Sequence, residues 1–201
     1  MSQTEVKALS ANIEQNPHSA ELYYQRGILL GGTYIESDES CGQDDVQDVH
    51  QAIRDFEKVI ELSPNNANAY YHKACLYFAL DLDDAHAMEL LEKGNELDKE
   101  NVDILIKYTE IITYDGENSH YAASIMKKVL ATKPSLTAFF LQGNYLKSCA
   151  EYDVLVGSVE SGQAHFLEAI AMFNRAIEMD NTQKYKERAL EMIDECRAQM
   201  A

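Results

Sequence analysis

Four segments of the sequence carry the same spacing of small and large apolar residues, and this repetition constrains the fold more than any other feature. In each segment a small residue is followed after four positions by a large apolar one, and after three more by a compact one. The members are Ala52, Phe56 and Val59; Ala87, Leu91 and Gly94; Ala122, Met126 and Val129; and Ala169, Phe173 and Ala176. This spacing marks one face of a helix, so the pattern predicts four helices that pack in the same way.

A second repeated pattern precedes each of these segments, with a small residue between two bulky ones. Its members are Tyr23, Gly27 and Leu30; Tyr70, Ala74 and Tyr77; Leu105, Thr109 and Ile112; and Phe139, Gly143 and Leu146. A small residue on a helix face lets a neighbouring helix approach closely. Each unit is therefore predicted to be a helix A, a turn and a helix B.

The prolines mark the junctions between these units. They are Pro17, Pro64 and Pro134. Proline cannot continue a helix, and it disfavours the helical conformation in the residue before it. Asn65, Asn66 and Ser135 follow two of the prolines and offer side-chain caps to the next helix A.

Taken together, these residues resemble the tetratricopeptide repeat (TPR), a 34-residue unit with an aromatic, a small residue, an alanine, an aromatic and a closing proline at these offsets. The resemblance covers residues 3–181. It implies an all-α fold, a right-handed TPR superhelix (α-solenoid) of four helix-turn-helix repeats with an N-terminal half-repeat helix and a C-terminal capping helix. At the seventh position of helix A, where the repeat usually has leucine, the chain has Arg26, Lys73, Tyr108 and Gln142.

The sequence predicts a single domain over residues 1–201. Its predicted segments are an N-terminal helix over 3–16, repeat 1 over 19–64 with an acidic insertion over 31–48, repeat 2 over 67–99, repeat 3 over 102–134, repeat 4 over 136–181 with an insertion over 147–164, and a capping helix over 183–199. Both insertions fall between helix A and helix B. In the second, no breaker occurs before Gly157, so helix A of repeat 4 is predicted to continue through Val154.

The first insertion is acidic and lacks Lys and Arg. Its predicted loop residues are Glu36, Asp38, Glu39, Asp44 and Asp45. Such a composition is typical of a mobile, solvated loop, and docking of a basic peptide is an alternative. The segment lacks the closing Glu of a calcium loop, so no metal is predicted there.

Charge and cysteine content restrict the partners and the compartment. Asp and Glu number 34 against 17 Lys and Arg, which gives a net charge of −17. This charge would repel phosphate backbones and acidic lipid, so we expect neutral or basic protein partners with apolar anchors, and neither nucleic acid nor membrane. The four cysteines are far apart in sequence, and nothing resembles a signal peptide or a membrane span, which favours a cytoplasmic protein. Since exposed apolar positions could serve a dimer, we expect either a monomer or a weak homodimer.

No chemistry of catalysis is visible in the sequence. It has no glycine-rich phosphate loop, no nucleophile elbow and no histidine pair at metal-ligand spacing, so it predicts a protein that is not an enzyme, with no catalytic residue, cofactor or metal. His72 is interpreted as solvent-facing, with ligand contact as the alternative, and Cys75 as a half-buried inert thiol.

The TPR resemblance implies a concave groove lined by the A helices. The groove residues that it implies are Tyr24, Ile28, Tyr71, His72, Cys75, Ile106, Lys107, Phe140 and Asn144. The fifth positions of helix A, namely Tyr24, Tyr71, Ile106 and Phe140, form an apolar stripe. These four residues are interpreted either as anchors for a peptide or as packing residues.

One known use of the TPR is excluded by the sequence. Some TPR domains clamp the C-terminal carboxylate of heat-shock chaperones with lysine, asparagine and arginine at five set positions. Those positions hold Tyr24, Ile28, His72, Asp103 and Lys107 here. Asp103 would repel a carboxylate, so that partner is rejected.

Two functions remain from the sequence. The first is a non-enzymatic interaction scaffold or adaptor that binds a peptide segment in its groove. The alternative is a small acidic TPR chaperone that holds an apolar segment of a client protein, resembling the chaperones of bacterial secretion systems.

Overall fold

The computed structural model describes residues 3–36, 46–80, 82–113, 118–181, 183 and 185–200. Over these residues the chain is entirely helical and turn-like, without a strand, so the predicted all-α class is confirmed. The helices are α1 (Gln3–Gln15), α2 (Ala20–Glu36), α3 (Val46–Leu62), α4 (Ala67–Ala79), α5 (Asp84–Leu97), α6 (Val102–Ile112), α7 (Ser119–Thr132), α8 (Leu136–Leu155), α9 (Val159–Met179) and α10 (Lys186–Gln199).

The helices form two compact units, Met1–Ile111 and Ile112–Ala201. The first unit holds α1 to α6 and the second holds α7 to α10. The organisation into one domain of four repeats stays a prediction.

In the first unit, α2 packs against α3 and α4 against α5, while α1 lies on α2 and α4 also contacts α2 and α3. The face predicted for helix B is fully buried, since Ala52, Phe56 and Val59 have no exposed surface. Ala87 and Leu91 are buried in the same way on α5, where Ile104 of α6 joins their cluster. The repeated pattern thus forms the core of this unit.

In the second unit, α8 and α9 pack along one another, α7 lies on α8, and α10 contacts α9 and α8. Ala122, Met126, Ala169, Phe173 and Ala176 are all fully buried, as their pattern predicts. Helix α8 continues to Leu155 and α9 begins at Val159, so the insertion over 147–164 extends both helices of this pair.

The small residues of helix A bring α2 and α8 close to their partner helices. A Cβ placed on Gly27 would lie 2.9 Å from Cζ of Phe56, and one on Gly143 would lie 2.6 Å from Cε1 of Phe173. Both distances are shorter than van der Waals contact, so glycine permits the approach.

Polar residues replace leucine at the seventh position of helix A, and in the first unit acidic partners on the B helices meet them. Arg26 makes two hydrogen bonds of 2.7 Å to the carboxylate of Asp55. Lys73 lies 3.0 Å from Glu57, and its ammonium stands over the ring of Tyr77. Lys73 and the carboxylate of Asp55 are buried and Arg26 is mostly buried, so these charges are paired, as a low-dielectric interior requires.

The predicted caps are present at two helices. The side chain of Asn66 accepts a hydrogen bond from the backbone of Ala69 at 3.2 Å, and Ser135 does the same for Ala138 at 3.2 Å. Each side chain satisfies one of the backbone donors that a helix start leaves without a partner.

In the part of the chain that the structure describes, we find no helix with both the length and the apolarity needed to cross a bilayer.

Candidate functional site

A groove of about 540 Å³ lies between α1 and α2 in the first unit. It is lined by Glu5, Ala8, Leu9, Asn12, Glu21, Tyr24, Gln25, Ile28 and Leu29. Ala8, Leu9, Ile28 and Leu29 make its surface mainly apolar, and its size is that of a typical small-ligand or side-chain pocket.

The polar residues of this groove include two carboxylates. Glu5 and Glu21 are both exposed, one on each helix. Gln25 donates a hydrogen bond of 2.7 Å to Glu21, which fixes that carboxylate. The groove therefore combines apolar surface with a negative border.

Tyr24 connects this groove to an aromatic cluster. Its hydroxyl lies 3.0 Å from Nε2 of His72, and its ring meets Phe56 edge-on with 5.9 Å between centroids. Tyr71 also contacts the His72 ring, with centroids 5.0 Å apart. Contacts from α3 and α4 thus hold the ring of Tyr24 in place on α2.

His72 lies inside this cluster, stacked on Phe56 with 5.4 Å between centroids. Its Nδ1 atom is buried without a hydrogen-bond partner. Protonation would place a second N–H and a charge where water does not reach, and this burial lowers the pKa of His72 to about 4. The interpretation of His72 as a plain solvent-facing side chain is therefore wrong, because the residue is half-buried and its ring packs against Tyr24 of α2 and Phe56 of α3.

Sequence comparison identifies the repeat itself. A family model described as tetratricopeptide repeat matches residues 56–87, which run from α3 through α4 into α5. The helix packing described above agrees with that match.

Residues 56–87 therefore match a tetratricopeptide repeat, and the described helices have the TPR fold.

Solved structures share the TPR fold with this chain. MamA is 20% identical, with a TM-score of 0.61 over 86% of this chain and 89% of that one. YrrB, described as a TPR protein with an unusual peptide-binding site, is 20% identical, with a TM-score of 0.60 over 96% and 92% of the two chains. TTC0263, a thermophilic TPR protein from Thermus thermophilus, is 14% identical, with a TM-score of 0.59 over 94% and 88%. No curated protein is significantly similar to the chain in sequence.

The A helices place the predicted groove residues at different depths. Tyr24 and Ile28 line the groove between α1 and α2, whereas Cys75 is only 2% exposed and lies beneath the surface. Lys107 forms an ion pair of 2.6 Å with Glu110. Cys75 cannot offer its side chain to a partner in this conformation.

Phe140 and Asn144 belong to the second unit. Phe140 is 7% exposed and contacts the rings of Phe173 and Tyr185, at centroid distances of 5.7 and 5.2 Å. Phe140 therefore has a packing role here, and Asn144 is partly exposed on the same helix. Membership of both residues in a partner groove stays a prediction.

The contribution of α1 to the groove was missed by reasoning from sequence. Glu5, Ala8, Leu9 and Asn12 were assigned to a helix that only covers the first repeat. The adjacent Ala8 and Leu9 make the apolar face of α1 broader than packing against one helix requires. This breadth is the sequence feature that could have predicted the groove.

The cysteines that the structure describes are buried, free thiols: Cys75, Cys149 and Cys196. Burial raises the pKa of these thiols, to about 11 for Cys75, about 12 for Cys149 and about 11 for Cys196. They are protonated at neutral pH, and Cys41 lies outside the described residues.

Most of the predicted acidic loop lies outside the described residues. Asp38, Glu39, Asp44 and Asp45 lie outside the described residues, and Glu36 is the last residue of α2.

Three side chains in the second unit could hold a metal ion. His120, Asp153 and His165 each offer one ligand atom, and these atoms lie within 4.8 Å of one another. The residues come from α7, α8 and α9 and form no short motif, so a search for histidine pairs at ligand spacing does not find them.

The environment of His72 gives the protein a pH-dependent stability. Its folded pKa is about 4, whereas a histidine in the unfolded chain has a pKa of about 6.5. The unfolded state therefore binds the proton first, and the folded state loses stability as the pH falls from about 6.5 towards 4. His72→Gln lacks this loss. As the pH falls from about 6.5 to 4, we therefore expect the free energy of unfolding of His72→Gln to increase relative to that of the wild type by on the order of 1–3 kcal/mol.

Urea denaturation followed by circular dichroism at several pH values measures this difference. The comparison with His72→Gln removes the contribution of the carboxylates, which titrate in both proteins. A difference that stays constant between pH 6.5 and 4.5 would contradict the burial of the neutral ring.

Proposed function

We propose that this TPR protein is a non-enzymatic interaction scaffold, and that the groove between α1 and α2 binds a peptide segment with an apolar anchor beside basic residues. The groove itself carries this proposal, because its apolar surface is bordered by Glu5 and Glu21. Repeat solenoids of this type use extended surfaces of this kind to bind other chains.

The apolar part of the groove supports an anchor of the size of one or two side chains. Leu9, Ile28 and Leu29 would gain contact area without rearrangement, because both helices are already packed. Tyr24 is held by His72 and Phe56, so little side-chain entropy is lost when a ligand contacts it.

The charge of the groove supports basic residues next to that anchor. Glu5 and Glu21 lie on opposite helices, and the chain as a whole carries a net charge of −17. Such a field accelerates the association of a cationic segment and weakens with salt. It also disfavours nucleic acid and acidic lipid, so we propose a protein partner for a cytoplasmic monomer or weak homodimer.

The lining suits recognition more than catalysis. It consists of hydrocarbon side chains, amides, two carboxylates and the hydroxyl of Tyr24, without a serine, cysteine or histidine. A nucleophile paired with a base is thus not found in the groove, which supports the proposal of a binding protein.

Ala8 offers a way to block the groove without disturbing the fold. It is exposed on α1 and lines the groove, whereas Ala11 is exposed on the same helix and does not. We expect peptides selected on the wild type from a random display library to carry one apolar residue next to Lys or Arg. Their affinity, measured by fluorescence polarisation, should fall at least tenfold in Ala8→Arg and stay within twofold in the matched control Ala11→Arg.

Charge reversal tests the acidic border separately. Glu21→Lys should weaken the same peptides and reduce the salt dependence of binding. Selected peptides without basic residues, or equal affinity for Ala8→Arg and Ala11→Arg, would overturn the assignment of this groove.

The chaperone alternative has one observation in its favour. Large apolar residues are exposed where α8 and α9 meet, with Leu155 83% exposed and Tyr152, Val156 and Val159 more than half exposed. A contiguous exposed apolar patch is typical of a surface that covers another chain. A client that is insoluble alone and soluble when expressed with the TPR protein would favour the chaperone, whereas capture of partners that are already folded would favour the scaffold.

A further inference from the structure

Three helices of the second unit place a carboxylate between two imidazoles. His120 comes from the first turn of α7, Asp153 from the last turn of α8 and His165 from the second turn of α9. Asp153 and Ser161 lie within the insertion over 147–164, which lengthens α8 and α9. The insertion therefore supplies the carboxylate and its serine partner.

The distances in the cluster are close to those of a metal centre. Nδ1 of His165 lies 2.9 Å from Oδ2 of Asp153, and Nε2 of His120 lies 3.4 Å from Oδ1. Zinc binds nitrogen and oxygen at about 2.0–2.2 Å, so neighbouring ligand atoms of a tetrahedral site are separated by about 3.4 Å. The three candidate ligand atoms lie within 4.8 Å of one another, so shifts of about 1 Å or less in side-chain position would complete the geometry.

The carboxylate is held for this role by a second contact. Ser161 donates a hydrogen bond of 2.6 Å to Oδ2 of Asp153, whose side chain is only 11% exposed. A hydrogen bond from a neighbouring residue commonly orients a metal-bound carboxylate. His120 is 52% exposed, which gives an ion a path from solvent.

We propose that His120, Asp153 and His165 bind one divalent transition-metal ion, with Zn²⁺ as the reference ion. Two imidazoles and one carboxylate suit zinc and its neighbours rather than calcium or magnesium, which prefer oxygen ligands. Three protein ligands leave a fourth position for water or for a side chain of a partner. The ion would join α7, α8 and α9 and neutralise a mostly buried carboxylate. This site is independent of the groove in the first unit.

The direct test is a titration of the full chain with Zn²⁺, followed by calorimetry. The titration should use a Cys41→Ser background, so that this thiol cannot bind zinc. The other three thiols are buried and protonated. We expect one equivalent of zinc to bind, and His120→Asn, His165→Asn and Asp153→Asn each to weaken binding at least tenfold. His86→Asn, which removes a histidine of α5 outside the cluster, should change the affinity less than twofold.

Cobalt gives a second readout, which these residues would not affect if their role were only structural. Co²⁺ bound at this site should show the visible absorption of a tetrahedral or five-coordinate centre, and His120→Asn should abolish it. His120 is exposed, so this variant is expected to fold even if Asp153→Asn does not.

The alternative is a network of hydrogen bonds between the histidines and Asp153 without any ion. Two results would overturn the metal site in favour of that network. One is that no zinc binds, and the other is that His120→Asn and His86→Asn weaken zinc binding equally. A melting temperature that rises with zinc in the wild type but not in His120→Asn would support the site.

Discussion

We expect Asp55→Ala to lower the free energy of unfolding by about 3–5 kcal/mol, the usual cost of removing one partner of a buried ion pair. Asp55 is 1% exposed and accepts two hydrogen bonds of 2.7 Å from Arg26 and one of 3.0 Å from Gln51. Arg26 also donates to Ser10 of α1 at 2.9 Å. Without Asp55, the guanidinium stays between α1, α2 and α3 without a counter-charge.

The double variant Arg26→Leu with Asp55→Ala separates this mechanism from a simple loss of packing. Leucine is the residue that the TPR pattern usually has at this position, and it needs no counter-charge. We expect the double variant to recover most of the stability, because a buried ion pair often stabilises no better than apolar contacts of similar volume. Urea denaturation followed by circular dichroism gives both free energies.

A matched control comes from the same helix. Lys58 and Glu61 form an exposed ion pair on α3, and Lys58→Ala should change the stability little. If Asp55→Ala and Lys58→Ala have equal effects, or if the double variant is less stable than Asp55→Ala alone, the guanidinium is not the source of the cost.

The second large effect is expected at Gly143. A Cβ there would lie 2.6 Å from Cε1 and 2.8 Å from Cδ1 of Phe173. Phe173 is fully buried against Phe140, so its ring has little room to move. We expect Gly143→Ala to cost about 1–3 kcal/mol through overpacking, even though alanine favours a helix by up to about 1 kcal/mol over glycine.

The repeats themselves supply the compensating change. In the second repeat the equivalent small residue is Ala74, and its partner is Leu91 rather than phenylalanine. Adding Phe173→Leu to Gly143→Ala copies this pair, so the double variant should lose less stability than the sum of the two single variants. The same denaturation experiment measures that coupling, and additive losses would contradict the clash.

Gly32 provides the control for backbone effects. It lies within α2, and a Cβ there would meet no atom within 4 Å. Gly32→Ala should therefore stabilise the protein by up to about 1 kcal/mol. The opposite signs expected at Gly32 and Gly143 isolate the contact with Phe173.

Local sequence features predicted the repeated core. The helical spacing of Ala52, Phe56 and Val59 depends only on the turn of one helix, and all three are fully buried. The caps at Asn66 and Ser135 need only the next three residues, and both are formed. The TPR resemblance follows from the same short-range pattern.

Contacts between side chains on different helices could not be predicted from these local features. Reasoning from sequence interpreted His72 as solvent-facing, with ligand contact as the alternative, because it lies on the side of its helix that is expected to line the groove. The packing of Phe56 and Tyr24 around its ring comes from two other helices. Burial of a polar side chain depends on these neighbours, and the periodicity of one helix does not contain them.

The sequence by itself determined the all-helical class, the small and large residues of the packing faces and the acidity of the protein. Each of these depends on residues within a few helical turns or on composition. Only the tertiary structure decided that Arg26 meets Asp55, that α1 and α2 enclose a groove, and that His120, Asp153 and His165 lie together. The physical reason is that hydrogen bonds and metal coordination act over about 2–4 Å. Residues far apart in the chain reach that distance only when their helices pack.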